Sequence, residues 1–323
     1  MSEPTAANVA PLAALVPDVV GFTKLTAGGN DFICLDNTGG RFDRLLRSQA
    51  LPVFVRGLCG RGVSVGADGV VFACRPDCAE GVDIAVRFLE PDGSEAELCG
   101  NGTACFTYWI VSKGLAPGPE VEILTAAGTV HGKVADGGRG AVRVCIPAPR
   151  DLELDLRLEV KGEPWTLHHL NTGVPHAVAF VDSLESIDVD HWGSAIRHHA
   201  HFQPRGANAN FVKVLEPGHI ALRTFEFGVE AETLACGTGS AAAAILSCLC
   251  HDWAPEFSAG DRPVLVDVRG DETLRVWFVS HEKRGIIDVC FETRARALCE
   301  GELLPELIGE LRDACREAID SGP

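Results

Sequence analysis

Along the first half of the chain the spacing of apolar and polar residues changes period several times, and each change predicts an element. Val20 to Asn37 places β-like segments on either side of a glycine turn that ends in Asn30-Asp31, a hairpin with polar groups at its tip. Phe42 to Cys59 mixes apolar and basic residues and reads as a helix, and Val70 to Ala73 is an apolar strand. From Asp83 to Leu89, Ile84, Val86 and Phe88 alternate on one face, and Pro91-Asp92-Gly93 is a turn. A short strand then runs into Cys99, after which Cys105, Tyr108, Trp109 and Ser112 recur at helical spacing, with Gly114 as a C-cap. Val121 to Ile146 reads as two or three strands with turns at Ala127-Gly128 and Asp136-Gly137-Gly138, and Pro147-Ala148-Pro149 reads as a linker.

The second half follows the same order. Strands around Leu152 to Leu170 lead to the polar turn Asn171-Thr172-Gly173-Val174-Pro175-His176 and a strand from Ala177 to Val181. A helix over Asp190 to His201, the segment Asn208 to Val212 and the alternating strand Ile220 to Phe225 come next. An alanine-rich helix spans Ser240 to Cys250, and three strands, near Val264 to Val268, Leu274 to Val279 and Ile286 to Phe291, precede a helical tail from Leu304 to Asp320.

What the halves share most closely is a Cys-Gly-x-Gly turn: Cys99-Gly100-Asn101-Gly102 and Cys236-Gly237-Thr238-Gly239, each after acidic residues and before a helix. The reading is α+β, two pseudo-symmetric domains, each offering one cysteine to a shared cleft. The first spans 22–147, with 294–323 returning to it, and the second spans 148–293. Residues 1–21 read as a loose extension, with neither the basic start of a signal peptide nor an apolar span.

Composition narrows the function classes. The 323 residues carry a formal charge of −17 and no cluster of Lys and Arg, which argues against nucleic-acid partners and anionic membranes. Thirteen cysteines, without Cys-x-x-Cys spacing or a regular framework, read as reduced thiols of a cytoplasmic protein and not as a zinc site. His198, His199 and His201 do not share one helix face, so no metal is assigned there.

A cysteine at a helix N-terminus meets unpaired N–H groups and the positive end of the helix dipole, which lower a thiol pKa from about 8.5 and attract an anion. Two such thiols suit inversion of an amino-acid α-carbon. One thiolate removes the α-proton and the opposite thiol returns one, while the N–H groups of Gly100, Asn101, Gly237 and Thr238 hold the α-carboxylate. The scheme requires neither cofactor nor metal.

Six segments then resemble, in order, the motif series of the diaminopimelate epimerase family, which interconverts LL and meso isomers without pyridoxal. They are Gly29-Asn30-Asp31-Phe32, Gly66-Ala67-Asp68-Gly69, Asp92 through Gly102, Pro175-His176, Asn208-Ala209-Asn210-Phe211 and Thr233 through Gly239. The resemblance spans roughly residues 22 to 303. It implies Cys99 and Cys236 as the acid and base pair, His176 and Glu226 as orienting or proton-accepting partners, and Asn30, Asn208 or Asn210 as substrate contacts. It implies two similar domains, each a barrel-like mixed sheet around a central helix, that close on the substrate, and a homodimer.

Three departures fall where the family grips the distal end of its substrate: Glu90 and Val174 stand where it has Asn, and Phe227 where it has Arg. Phe cannot donate the hydrogen bonds that Arg gives a carboxylate. The same chemistry on another amino acid, for example histidine, is therefore an open alternative. So are an isomerase of the same fold acting on a metabolite that is not an amino acid, and a thiol redox or metal-binding protein without turnover.

Overall fold

The computed structural model describes residues 15–76, 80–135 and 140–321. Its strands form one hydrogen-bonded sheet wound around two helices, Gly100–Ser112 and Gly237–Cys250. Around the first helix the strands close into a ring of eight: Gly21–Ala27, Asn30–Asn37, Gly69–Cys74, Ile84–Leu89, Glu120–Thr125, Gly128–Val134, Ala141–Cys145 and Gly285–Glu302, which pairs back onto Gly21–Ala27.

The second half repeats the order with Glu163–Asn171, Pro175–Phe180, Asn208–Glu216, His219–Glu226, Val264–Val268, Glu272–His281 and the start of Gly285–Glu302, while Arg150–Val160 lies outside Glu163–Asn171. The parallel pairs fall at matching places. Asn30–Asn37 runs parallel to Gly69–Cys74, and Pro175–Phe180 to Asn208–Glu216; Ile84–Leu89 runs parallel to Glu120–Thr125, and His219–Glu226 to Val264–Val268. A parallel pair needs a crossover. The helices Leu51–Cys59 and Val189–Arg197 make the first pair of crossovers, and the two central helices make the second.

That second role explains the central helices' composition. Each is wrapped by strands, so it must be apolar on every side. Ala241, Ala242, Ala243 and Ala244 are all at 0 % exposure, and their small size lets the strands close around the backbone. Two buried hydroxyls are satisfied within the helices: Thr107 Oγ1 donates to the Thr103 carbonyl at 2.8 Å and Ser247 Oγ to that of Ala243 at 2.7 Å, whereas the buried Ser240 Oγ has no partner among the described residues.

Several expectations need correction. The helix expected over Phe42 to Cys59 is two, Asp43–Leu46 and Leu51–Cys59, because Pro52 fits only the first turn of a helix. The one expected to reach His201 stops at Arg197 and resumes as the 3-10 turn Ala200–Phe202. Residues 15–20 of the supposed loose extension are packed: Val16 and Val20 are fully buried, and Arg312 of the C-terminal helix Pro305–Asp320 donates to the Val16 carbonyl at 2.8 Å.

Cys145 and Cys290 face each other in antiparallel register and form a disulfide, so the reading of every thiol as reduced fails for this pair. The turn placed at Asp136-Gly137-Gly138 lies outside the described residues. No described helix is long and apolar enough to cross a membrane.

One strand belongs to both halves. Within Gly285–Glu302, residues 285–292 pair with Glu272–His281, 290–294 with Ala141–Cys145, and 295–302 with Gly21–Ala27.

Candidate active site

Each Cys-Gly-x-Gly turn ends one strand-turn segment and starts a central helix, and the two do so alike. Cys99 is the N-cap of Gly100–Ser112 with φ −127° and ψ 114°, and its Sγ accepts from the Gly102 N–H at 3.3 Å. Cys236 is the N-cap of Gly237–Cys250 with φ −123° and ψ 112°, and its Sγ accepts from the Gly239 N–H at 3.3 Å. In both, a thiol takes the place that Ser or Asp usually fills at a helix start.

Glycine is needed because the turns meet. A Cβ on Gly100 would lie 3.6 Å from the Gly237 Cα and 3.1 Å from Cζ of Phe291, whose ring stands between the two helix starts. The side chain of Asn101 joins them: its Nδ2 donates to the Ala235 carbonyl and to Asn30 Oδ1, both at 2.8 Å.

Both thiols open into one cavity of about 420 Å³, a volume that suits a small metabolite. Asn30, Gly100, Asn101, Asn208, Glu226, Gly237 and Thr238 line it, and so do Glu90, Val174 and Phe227. The first N–H groups of a helix have no partner within it, so both helix starts can offer donors to an anion in this space.

The thiols are not acidified as the helix termini alone would suggest. Burial pushes Cys99 up to about 12, with the Glu90 and Glu226 carboxyls adding to the rise, and Cys236 well above its ordinary range, with Glu226 adding to it. The donors at Gly102 and Gly239 pull the other way but are outweighed. Desolvation of a fully enclosed charge exceeds what one weak N–H to sulfur bond returns.

The group suited to relieve Cys236 is Glu226. Burial raises its carboxyl to about 7, against hydrogen bonds from Thr233 and the Cys236 thiol. His176 lies farther back. Its Nε2 is 3.0 Å from Thr238 Oγ1, which is 3.5 Å from Cys236 Sγ, and its Nδ1 is 3.2 Å from Asn210 Nδ2. Because the Asn210 amide donates, the network assigns the proton to Nε2. Burial lowers the His176 pKa to about 3, so the ring is neutral and acts on Cys236 through Thr238.

One sequence-based placement changes. Asn210, expected against substrate, is buried behind His176, with its amide on the Ala177 and Asn208 carbonyls and its Oδ1 accepting from Thr224. Asn208 does line the cavity, where its Oδ1 accepts from the Phe227 N–H at 2.7 Å. Within Gly66-Ala67-Asp68-Gly69, Asp68 reaches the cavity wall, held by Arg61 at 2.7 Å.

Phe291 and Arg205 have no motif to mark them, and Thr233, which opens the last motif segment, carries no role in the sequence reading. Phe291 works through packing and Thr233 through a single hydrogen bond, and Arg205 reaches the wall beside Glu97 from an irregular segment. His198, His199 and His201 diverge: His198 faces Glu230, His199 caps its own turn, and His201 faces Glu153.

A family model described as diaminopimelate epimerase matches residues 22–148 and 169–283. The chain is 39 % identical over 259 residues to diaminopimelate epimerase of Aquifex aeolicus, covering 80 % of this chain and 89 % of that protein. It is 34 % identical to that of Chlorobaculum tepidum, over 86 % and 99 % of the respective chains. Among solved structures, a hydroxyproline epimerase from Agrobacterium vitis superposes with TM-score 0.64 at 15 % identity, covering 90 % of this chain and 92 % of that one. A PhzF-family phenazine biosynthesis protein from Bacillus anthracis does so with TM-score 0.66 at 16 % identity, covering 88 % and 99 %; both likenesses concern the fold.

Proposed function

The chain belongs to the diaminopimelate epimerase family of isomerases, and we propose that it inverts the α-carbon of an amino acid by proton transfer between Cys99 and Cys236. The observation that carries this reading is the pair of matching N-cap thiols in one cavity, with a carboxyl of raised pKa beside one of them. Diaminopimelate, named in the relatives, is the reference substrate, with LL and meso isomers as the two ends of the reaction.

The steps balance as follows. Glu226 takes the Cys236 proton, and the thiolate removes the substrate's α-proton. Cys99 gives its own proton to the opposite face of the carbon, leaving Cys99 as thiolate and Cys236 as thiol for the reverse direction. Negative charge that develops on the α-carboxylate falls on the N–H groups of Gly100, Asn101, Gly237 and Thr238. Asn30 and Asn208, on the cavity wall, contact the substrate, while His176 and Asn210 are positioning residues that act through Thr238.

Excluding water matters here, because a carbanion-like centre is protonated by any donor that reaches it. A homodimer working in the cytoplasm is part of the same proposal and rests on the family resemblance.

The test is α-proton exchange in deuterated water, followed by mass and by chiral separation, with wild type, Cys99→Ser and Cys236→Ser. Inversion with deuterium uptake in the wild type alone is expected. No exchange with any amino acid removes the reading in favour of a thiol protein without turnover, and full activity in Cys99→Ser removes the two-thiol scheme. A second reading, the same chemistry on a different amino acid, is favoured by Glu90, Val174 and Phe227 in the cavity wall.

A further inference from the structure

The carboxyl groups on the cavity wall are tied down in all but one case. Asp68 is held by Arg61 at 2.7 Å, Glu95 by Arg87 at 2.6 Å, Glu97 by Arg205 at 3.0 Å, and Glu226 by Thr233. Glu90 alone has no hydrogen-bond or ion-pair partner for its carboxyl among the described residues. It is held in place by its backbone, whose N–H donates to the Ser94 carbonyl at 2.8 Å and whose carbonyl accepts from Gly93 at 2.8 Å. A half-buried acid without a counter-charge is costly.

The cations nearby are all engaged. Arg205, the one cation among the described lining residues, is the partner of Glu97. Arg197 lies behind Phe227, its Cζ 4.2 Å from the ring centroid, and its Nε is 3.3 Å from Glu230. Val174 and Phe227 add only apolar surface. A substrate that ends in a second carboxylate therefore finds no free cation, and it faces Glu90.

We infer that this wall selects an α-amino acid whose side chain ends in a cation and lacks a distal carboxylate, with Glu90 as the specificity-determining residue. The inference rests on the proposed α-carbon inversion. Lysine is the informative probe, since it is diaminopimelate without the distal carboxylate and keeps the same reach from the α-carbon to the terminal nitrogen. A docked ammonium supplies the counter-charge that Glu90 lacks, and burial of that acid, raised to about 7 when alone, is thereby offset.

The experiment measures kcat/KM for α-proton exchange on lysine, ornithine, histidine, arginine, norleucine and diaminopimelate, using wild type, Glu90→Gln and Phe227→Arg. In the wild type at least one basic amino acid should exceed both norleucine and diaminopimelate by tenfold or more. Glu90→Gln should cut the ratio of that basic amino acid to norleucine at least tenfold, and Phe227→Arg should move preference toward diaminopimelate. Fastest exchange on diaminopimelate, or a basic-to-norleucine ratio unmoved by Glu90→Gln, overturns the inference and leaves the inversion intact. Exchange on none of the panel overturns the inversion itself and this inference with it.

Discussion

Gly237 stands so close to Phe291 that a Cβ built on it would lie 2.6 Å from the ring. At Gly100, on the other side of the ring, the corresponding approach is 3.1 Å. A methyl group at Gly237 has to push the ring toward the first helix start, so Gly237→Ala is expected to cost about 1–3 kcal/mol. It should also lower kcat/KM by displacing Cys236. Gly100→Ala should do both to a smaller degree. Denaturant unfolding with unchanged m-value is the measurement, and a Gly237→Ala protein of wild-type stability and rate would remove Phe291 as the spacer between the two turns.

Replacing one thiol should separate exchange from inversion. Cys99→Ala is expected to lose inversion by a factor on the order of 10² to 10⁴, the range for one acid or base. It should still exchange the α-proton of the stereoisomer whose hydrogen faces Cys236, and Cys236→Ala should show the opposite preference. Deuterium uptake by each pure stereoisomer, read by mass, decides this. Equal uptake by both isomers in either variant would speak against one thiol for each face.

Glu226 should set the acid limb of the rate profile. It must be ionised to accept the Cys236 proton, and burial holds its pKa at about 7. kcat/KM is therefore expected to rise through a midpoint near 7, and Glu226→Gln should remove the limb along with most of the rate. The same shift has a stability sign. An acid with folded pKa about 7 and unfolded value 4.5 favours the fold fully below pH 4.5 and loses that contribution as pH rises through 7. Wild type and Glu226→Gln should converge in unfolding free energy at acid pH, with the variant ahead above pH 7.

His176 works in the opposite direction. It is neutral and fully buried with its pKa lowered from 6.5 to about 3, so its stabilising contribution is present above pH 6.5 and is lost as pH falls toward 3. Each pH unit in that window costs up to about 1.4 kcal/mol for the one proton the unfolded chain gains. His176→Gln is expected to flatten the loss of stability between pH 6 and 4. It should also lower kcat more than it raises KM, because the ring positions Thr238 beside the thiol. A melting series of the two proteins against pH checks the first expectation, and steady-state rates check the second.

Much of the site could be read in the sequence because it is local. A Cys-Gly-x-Gly turn before a small-residue helix fixes its own geometry, so the matching N-caps of Cys99 and Cys236 follow from a few neighbouring residues. The direction of the thiol pKa did not follow, since the helix end is visible in sequence while the burial that outweighs it depends on both barrels. Asn210 was misplaced for a similar reason. Asn208 and Asn210 are two residues apart on one strand and share a face by alternation, so the sequence does not tell that only Asn208, at the strand's start, meets the cavity while Asn210 is covered by His176 and Thr224. The disulfide between Cys145 and Cys290, and the packing of Val16 and Val20 against the C-terminal helix, join residues far apart in the chain and leave no local periodic trace.

The strand Gly285–Glu302 has a consequence for how the molecule is made. Gly21–Ala27 is among the earliest described segments to leave a ribosome, yet the partner that closes its ring, residues 295–302, is among the last. The first barrel stays open along that seam until residues 295–302 have been made, with its sheet edge exposed. A chain interrupted before residue 295 lacks the closing strand of the first barrel, so a frameshift in the second half of the sequence spoils the first barrel as surely as the second.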